Sequence, residues 1–497
     1  MNNKLKKLYQ KLNLIRLYDH IEGIIGFDFE TSVPKKAMEN EGDTMSFVSN
    51  QCFKIKKSKS FEKLVIDLHQ ELDSLDYLDQ ILVKYLYEDY LKNKNITPKM
   101  ELEMSKIYNQ AYIDWLDAKE KKDYNLFIPS FKKVIEISKK QIDLRDNRLD
   151  DLYDNMLDDC EKGMHQKELD VFFNDLKVGL IELIGKIKNS KKQIRKDFLD
   201  RKVPIYKQEA FSRYLLDLNG FDFERGYLST TEHPFTSSIA QDDARLTTHY
   251  YEDMVLSNIF SIIHEGGHAI LMQNEPTDDF NHFINDYVSN GMHESVSRFF
   301  ENVIGRSKAY VHLIYPKFIE SFEEFSDISE QELYEAINIV EPSLIRTEAD
   351  EVTYGLHIVI RYELEKRLCN GDLKVEDASK EWNRLYNEYL GVKPANEAEG
   401  ILQDVHWTGG FGYFPSYAIG NAYNAMYLKE LRKEYNFEEL IAKGDFKTIN
   451  SWLANHVFKD ANHLEPKEWI KQITNKNLSA KDFLEYLNNK YKDIYNF

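Results

Sequence analysis

Little in this chain breaks a helix: only 11 proline and 21 glycine residues are spread over 497 positions. Strand-type alternation is also rare, so an all-β reading is excluded and a mainly α body is expected. Cysteine is down to three residues, Cys52, Cys160 and Cys369, odd in number, far apart and without a C-x-x-C pair. A disulfide framework is therefore not expected, and a reducing, cytoplasmic setting is. No apolar run approaches the roughly 18 residues of a membrane span, so no membrane partner is expected. The opening residues, Met1-Asn-Asn-Lys-Leu-Lys-Lys-Leu-Tyr-Gln10, read as an amphipathic helix without an apolar h-region or a small-residue cleavage site, which is not a signal peptide. Positive charge is in deficit as well. A formal charge of −19, with no basic stripe to offset it, repels nucleic acid. The acidic surplus names no substrate; it serves solubility.

What is present is helical periodicity. Apolar residues recur at three- and four-residue steps over Lys4 to Ile25, Phe61 to Lys92, Met100 to Ala118, Pro129 to Leu152 and Glu168 to Lys188. These spacings share no fixed period, so no solenoid is read. No Ser/Gly-rich linker divides the chain, and a single domain over 1–497 is expected. Within it, 1–220 is mostly helical, 221–430 carries the chemistry and 431–497 adds closing helices. Asp28-Phe-Glu-Thr-Ser-Val-Pro34 reads as a polar turn ending the first helix before Pro34. Between Tyr227 and Tyr251 the pattern changes to β-branched and aromatic residues with Pro and Asp-Asp turns, which predicts a small sheet. A short edge strand there is a candidate rail for an extended peptide.

Directly after that sheet comes His264-Glu265-Gly266-Gly267-His268, the H-E-x-x-H pattern. Residues four apart stack on one helix face, so His264 and His268 can reach one metal ion, with Glu265 about 100° round. Leu256, Ile259, Phe260, Ile263, Gly267, Ile270 and Leu271 form the apolar arc bordering them. The plain alternative is two half-buried histidines satisfied by ordinary hydrogen bonds, so a third ligand is needed. Gly291-Met-His-Glu-Ser-Val-Ser-Arg-Phe-Phe-Glu301 predicts a second helix whose polar side holds Glu294, Ser297, Arg298 and Glu301. Glu294 is the candidate ligand; two His and a carboxylate leave a position open for water, as catalytic sites do. Glu294 could instead pair with Arg298 four residues on, and His293 and Glu301 rival it as ligands. Periodicity alone does not decide.

Further on, Ile345-Arg-Thr-Glu-Ala-Asp350 opens a long helix through Tyr354 and Leu364. Gly400-Ile-Leu-Gln-Asp-Val-His-Trp-Thr-Gly-Gly410 and Phe411 to Gly420 crowd glycines, aromatics, Asp404 and His406 into a loop, the composition of a binding wall. Standing alone, it would equally suit a tight turn packed by Trp407.

Taken together, these stretches resemble the carboxypeptidase Taq family of metallocarboxypeptidases. The resemblance rests on His233-Pro-Phe235, Asp243-Ala-Arg-Leu-Thr247, His264 to His268, His293-Glu-Ser295, Ile345 to Asp350, Gly400 to Trp407 and Tyr413-Phe-Pro-Ser-Tyr417, in that order. It is strongest from about 220 to 430. Phe27 stands where the family usually shows Trp, and Val296 where Gln is common; neither is a proposed ligand. The resemblance implies a mostly α fold with a small sheet lining a deep groove, the H-E-x-x-H helix at its base, and a homodimer. It also implies one zinc ion on His264, His268 and Glu294, replaceable by cobalt, with Glu265 as general base. Arg346 would receive the free C-terminal carboxylate of a peptide, Tyr417 would fix the terminal residue or the oxyanion, and His233 would hydrogen-bond substrate. Asp243, Arg245, Asp404 and His406 would have supporting places.

Elementary chemistry agrees with that assignment. A general base beside an activated water and a buried Arg fork for a carboxylate are what an exopeptidase needs. Arg346 could instead form a structural ion pair with Glu348 or Asp350. Two other functions stay open on residues alone: an endo-acting oligopeptidase with the same zinc pattern, and a helical binding protein without turnover.

Overall fold

The computed structural model describes residues 2–497. Helices dominate, and one three-stranded sheet interrupts them. The first four helices, Asn3–Thr31, Met38–Lys56, Lys59–Gln70 and Tyr77–Asn93, close on an apolar core of their own that includes Leu8, Val65, Leu68, Leu82 and Val83. Ile284, from far along the chain, is plugged into it. Nearly everything else packs on one large core running from Ala111 to Tyr495. No helix among the described residues is long and apolar enough to cross a membrane.

The expected helices appear with local changes. The stretch Phe61 to Lys92 is not one rod: Lys59–Gln70 ends, a 3-10 turn at Leu72–Ser74 follows, and Tyr77–Asn93 starts anew. Ser58 and Asp76 stand at the two starts, the residue types that favour helix entry. The first helix runs on through residues 28–31, where a polar turn was expected, and does stop before Pro34. Ile345 to Asp350 does not open the long helix: Arg346–Glu348 is a separate 3-10 turn, and the helix runs Tyr354–Asn370. Asp350 is the reason, because its carboxylate accepts from the backbone N–H of Val352 and Thr353, both at 2.9 Å, and so caps the turn instead of entering the helix.

The sheet consists of β1 (Gly226–Thr230), β2 (Thr236–Ala240) and β3 (Asp243–Thr248) in the order β1-β3-β2. β1 runs parallel to β3, and β2 returns antiparallel through a Gln241-Asp242 turn in which Asp242 takes φ 64°. Ala244 and Leu246 of β3 enter the main core beneath helix Val255–Asn274. That helix is buried along most of its length, and its half-buried histidines stand at the margin of the core, as its apolar arc requires.

Candidate active site

Three donor atoms converge between two helices. His264 Nε2 lies 3.8 Å and His268 Nε2 3.6 Å from Glu294 Oε2, and one donor atom of each of the three lies within 4.8 Å of the others. Donors around a tetrahedral zinc at about 2.0–2.1 Å stand roughly 3.3 Å apart, so the two His–Glu294 pairs need close by only a few tenths of an ångström to share one ion. The outer ring nitrogens supply the test of fit. His264 Nδ1 is 2.9 Å from Glu301 Oε2, and His268 Nδ1 is 2.5 Å from His293 Nδ1. With each Nδ1–H donating outward, each Nε2 lone pair faces the shared point. Two neutral imidazoles and a carboxylate form a donor set for a zinc-like divalent ion with a position left open.

Both readings of Glu294 are realised, one oxygen each: Oε2 faces the imidazoles, while Oε1 accepts from Arg298 Nε at 2.8 Å. His293 and Glu301, its rivals, stand behind the imidazoles. A π-helical turn at Phe299–Ile304 follows the helix Asn290–Arg298 and carries Glu301 at its start. Close backbone approach holds the pair of helices together. A Cβ on Gly267 would sit 2.8 Å from Ser297 Cα, and one on Gly420 would sit 3.0 Å from Glu294 Cβ and Cγ. Glycine at these two positions lets the two donor helices meet, and lets the helix Phe414–Glu434, which carries Gly420, pack against Glu294. Buried Glu161 fastens the start of the Glu294 helix, accepting from Ser289 Oγ at 2.9 Å and from the Gly291 N–H. Burial pushes its carboxyl up to about 7.

Electrostatics separates the two imidazoles, a proton and a metal ion competing for His264. Burial opposes charge on His264, but Glu294 and Glu301 outweigh it and raise its pKa. Burial lowers His268 well below its usual range, aided by His293, His264 and Arg298, and lowers His293 to about 4, so both stay neutral. Glu301 is desolvated yet held well down by Arg298 and His264. Glu265 is raised by burial. Its Oε2 accepts a 2.6 Å hydrogen bond from Thr236 Oγ1, which also reaches the Glu265 carbonyl at 3.1 Å. Edge strand β2 thereby aims the carboxylate through one oxygen and leaves Oε1 free.

A second constellation forms around Arg346. Its counter-ion is neither Glu348 nor Asp350 but Asp404, whose Oδ1 accepts from Arg346 Nε at 3.1 Å. Arg361, fully buried, donates from Nε to Asp404 Oδ2 at 2.6 Å. Gln403 Oε1 accepts from the backbone N–H of Arg346 and from Arg361 Nη2, at 3.0 and 2.9 Å. Asp404 is thus held ionised against its burial by two guanidiniums, and one positive charge is left over. The Arg346 guanidinium lies 4.9 Å from the centre of the Tyr417 ring. His406 Nε2 is 3.3 Å from Tyr417 Oη, and burial lowers His406 to about 4. Trp407 does pack the loop, donating to the Ile401 carbonyl at 2.9 Å.

His233 stands exposed between β1 and β2 and makes no hydrogen bond among the described residues. Arg245 is paired with Asp243 at 2.9 and 2.8 Å and lies 5.4 Å over the Phe27 ring, on the sheet face opposite Ala244 and Leu246. Neither is drawn into the two constellations. Thr236, Arg361 and Glu161 belong to them although no spacing in the sequence marks them.

Fold and donor geometry together are those of a helical metallopeptidase. A profile of the carboxypeptidase Taq (M32) metallopeptidases matches residues 7–491. The chain is 36% identical to carboxypeptidase 1 of Bacillus subtilis over 493 residues, covering 99% of this chain and 98% of that one. It is 33% identical to thermostable carboxypeptidase 1 of Thermus thermophilus over 488 residues, 95% of each. Among solved structures, the M32 carboxypeptidase of Deinococcus radiodurans superposes with a TM-score of 0.96 at 29% identity, covering 100% of both chains. The chain belongs to the carboxypeptidase Taq (M32) family. It is a metallocarboxypeptidase, which acts on peptides with a divalent metal.

Proposed function

We propose that this metallocarboxypeptidase removes C-terminal residues of broad type from peptides, using one zinc ion held by His264, His268 and Glu294. The convergence of those three donor atoms, with both Nδ1 atoms engaged outward, carries the reading. The ion supplies Lewis acidity there, lowering the pKa of water from about 16 toward about 7 and polarising a carbonyl oxygen; Co2+ suits the same donors.

Glu265 is the general base. Thr236 occupies its Oε2, so Oε1 takes the proton of the attacking water and then returns it to the leaving amine. Arg346 receives the terminal carboxylate, its charge left partly unspent because Arg361 shares Asp404. Tyr417, stacked against Arg346 and backed by His406, fixes the terminal residue or the oxyanion. His233 reaches substrate from its exposed turn, and Arg245 with Asp243 shapes the sheet face. Broad specificity follows because the recognised group is common to every C-terminus. A homodimer, on the family resemblance, and a cytoplasmic setting, on the three scattered cysteines, complete the reading.

Mass spectrometry of a peptide and its C-terminally amidated copy, each incubated with the metal-loaded protein, tests this. The free peptide is expected to shorten from its C-terminus and the amide to lose most of the activity. Equal cleavage of both, at internal bonds, would mean an endo-acting oligopeptidase.

A further inference from the structure

The donor set and the carboxylate pocket are joined by one buried side chain that belongs to neither. Arg298, which donates to Glu294 Oε1 at 2.8 Å, places its guanidinium carbon 4.2 Å from the centre of the Tyr354 ring. At the edge of that ring the Tyr354 hydroxyl accepts from Arg346 Nη1 at 3.3 Å. Tyr354 is only 3% exposed and begins the helix Tyr354–Asn370, its N–H donating to the Asp350 carbonyl at 2.9 Å. Asp350 is itself locked by Thr353 Oγ1 at 2.7 Å and by backbone N–H groups. The ring therefore has little freedom to shift. Its face holds one arginine through the ring quadrupole, and its oxygen holds the other through a charge-assisted hydrogen bond.

We propose that Tyr354 is a positioning residue that sets how far the carboxylate-binding guanidinium of Arg346 stands from the His264, His268 and Glu294 donors, and so where the scissile bond falls. This rests on the carboxypeptidase reading above. The two ends of the ring have separable duties. The hydroxyl orients Arg346, and the aromatic face orients Arg298 and, through it, Glu294.

Two variants separate those duties. Tyr354→Phe keeps the face and loses the oxygen; for a free-carboxylate peptide its KM is expected to rise and its kcat to fall, with kcat/KM dropping about tenfold, because a carboxylate held off its place misplaces the scissile bond. Its zinc dissociation constant, from chelator competition, is expected to stay within twofold. Tyr354→Leu loses the face as well, and its zinc dissociation constant is expected to rise several-fold. The conservative Phe variant keeps the test decisive should Leu fail to fold. An unchanged KM in Tyr354→Phe, or zinc affinity weakened equally in both variants, would overturn the proposal. Arg346→Gln is the control. If it raises KM while Tyr354→Phe does not, Tyr354 alone is wrong; if Arg346→Gln leaves KM unchanged, the carboxylate reading falls and this inference with it.

Discussion

The two constellations are electrostatic opposites. Around the imidazoles, three carboxylates (Glu265, Glu294 and Glu301) face two guanidiniums (Arg298 and Arg306), so negative charge is in excess. Around Asp404, two guanidiniums face one carboxylate, and His406 is held neutral. One end is prepared for a cation and the other for an anion. A buried charge imbalance is costly unless a partner arrives to complete it. In the function proposed above, each end takes a ligand of opposite sign, a divalent ion at one and a terminal carboxylate at the other.

The largest effect should come from stripping the negative end of its base. Glu265→Gln keeps the hydrogen bond from Thr236 but cannot take a proton. Turnover should fall by about 10³-fold, within the range of lost general acid–base catalysis, while metal content measured by emission spectroscopy stays that of the parent. A mutant that retained turnover would remove Glu265 from the chemistry.

That end was also the more legible. A helix repeats every 3.6 residues, so two His four apart with a Glu between declare their geometry within one motif. The third donor was not decidable from spacing, because the π-helical turn at Phe299–Ile304 alters the helical phase just where Glu301 stands. Thr236 lies on a strand 29 residues before Glu265, and no local pattern links the two. The positive end was less legible still. Arg346 pairs with Asp404 across 58 residues and Arg361 across 43, whereas the sequence offered only the nearby Glu348 or Asp350 as an alternative ion-pair partner. Burial decided it, since Asp350 is already consumed as a backbone cap. The helix Met38–Lys56 also went unread, its sequence being mostly polar with only Val48 and Cys52 buried.

A smaller effect should follow from the groups behind the imidazoles. Glu301→Gln keeps an acceptor for His264 Nδ1 but removes the charge that strengthens it. Metal affinity should drop about 10- to 100-fold in chelator competition, with KM for peptide little changed if the two ends are separable as described. An equal change in both would blur the distinction.

An effect spread over pH, and so small at any one pH near neutrality, concerns the positive end. Glu365, one helical turn after Arg361, is buried, and burial raises its carboxyl to about 8 against favourable bonds from Tyr153 and Gly412. Near neutrality it is mostly protonated and leaves the positive surplus intact. Because its folded value lies above the ordinary 4.5, the stability it contributes is full below that value and is lost as pH rises through about 8. At about 1.4 kcal/mol per pH unit over that window, the loss amounts to a few kcal/mol. Glu365→Gln should flatten this decline, so melting temperatures of parent and variant should diverge between pH 5 and 9, the parent falling more steeply. Parallel curves would mean that Glu365 ionises freely in the folded protein.

Zinc binding to Glu294→Gln measures the convergence itself. The parent is expected to bind one ion per chain, and the variant, of nearly the same size and still facing Arg298, to bind it at least about 100-fold more weakly. Unchanged affinity in Glu294→Gln would contradict the three-donor centre and return the ligand role to His293 or Glu301.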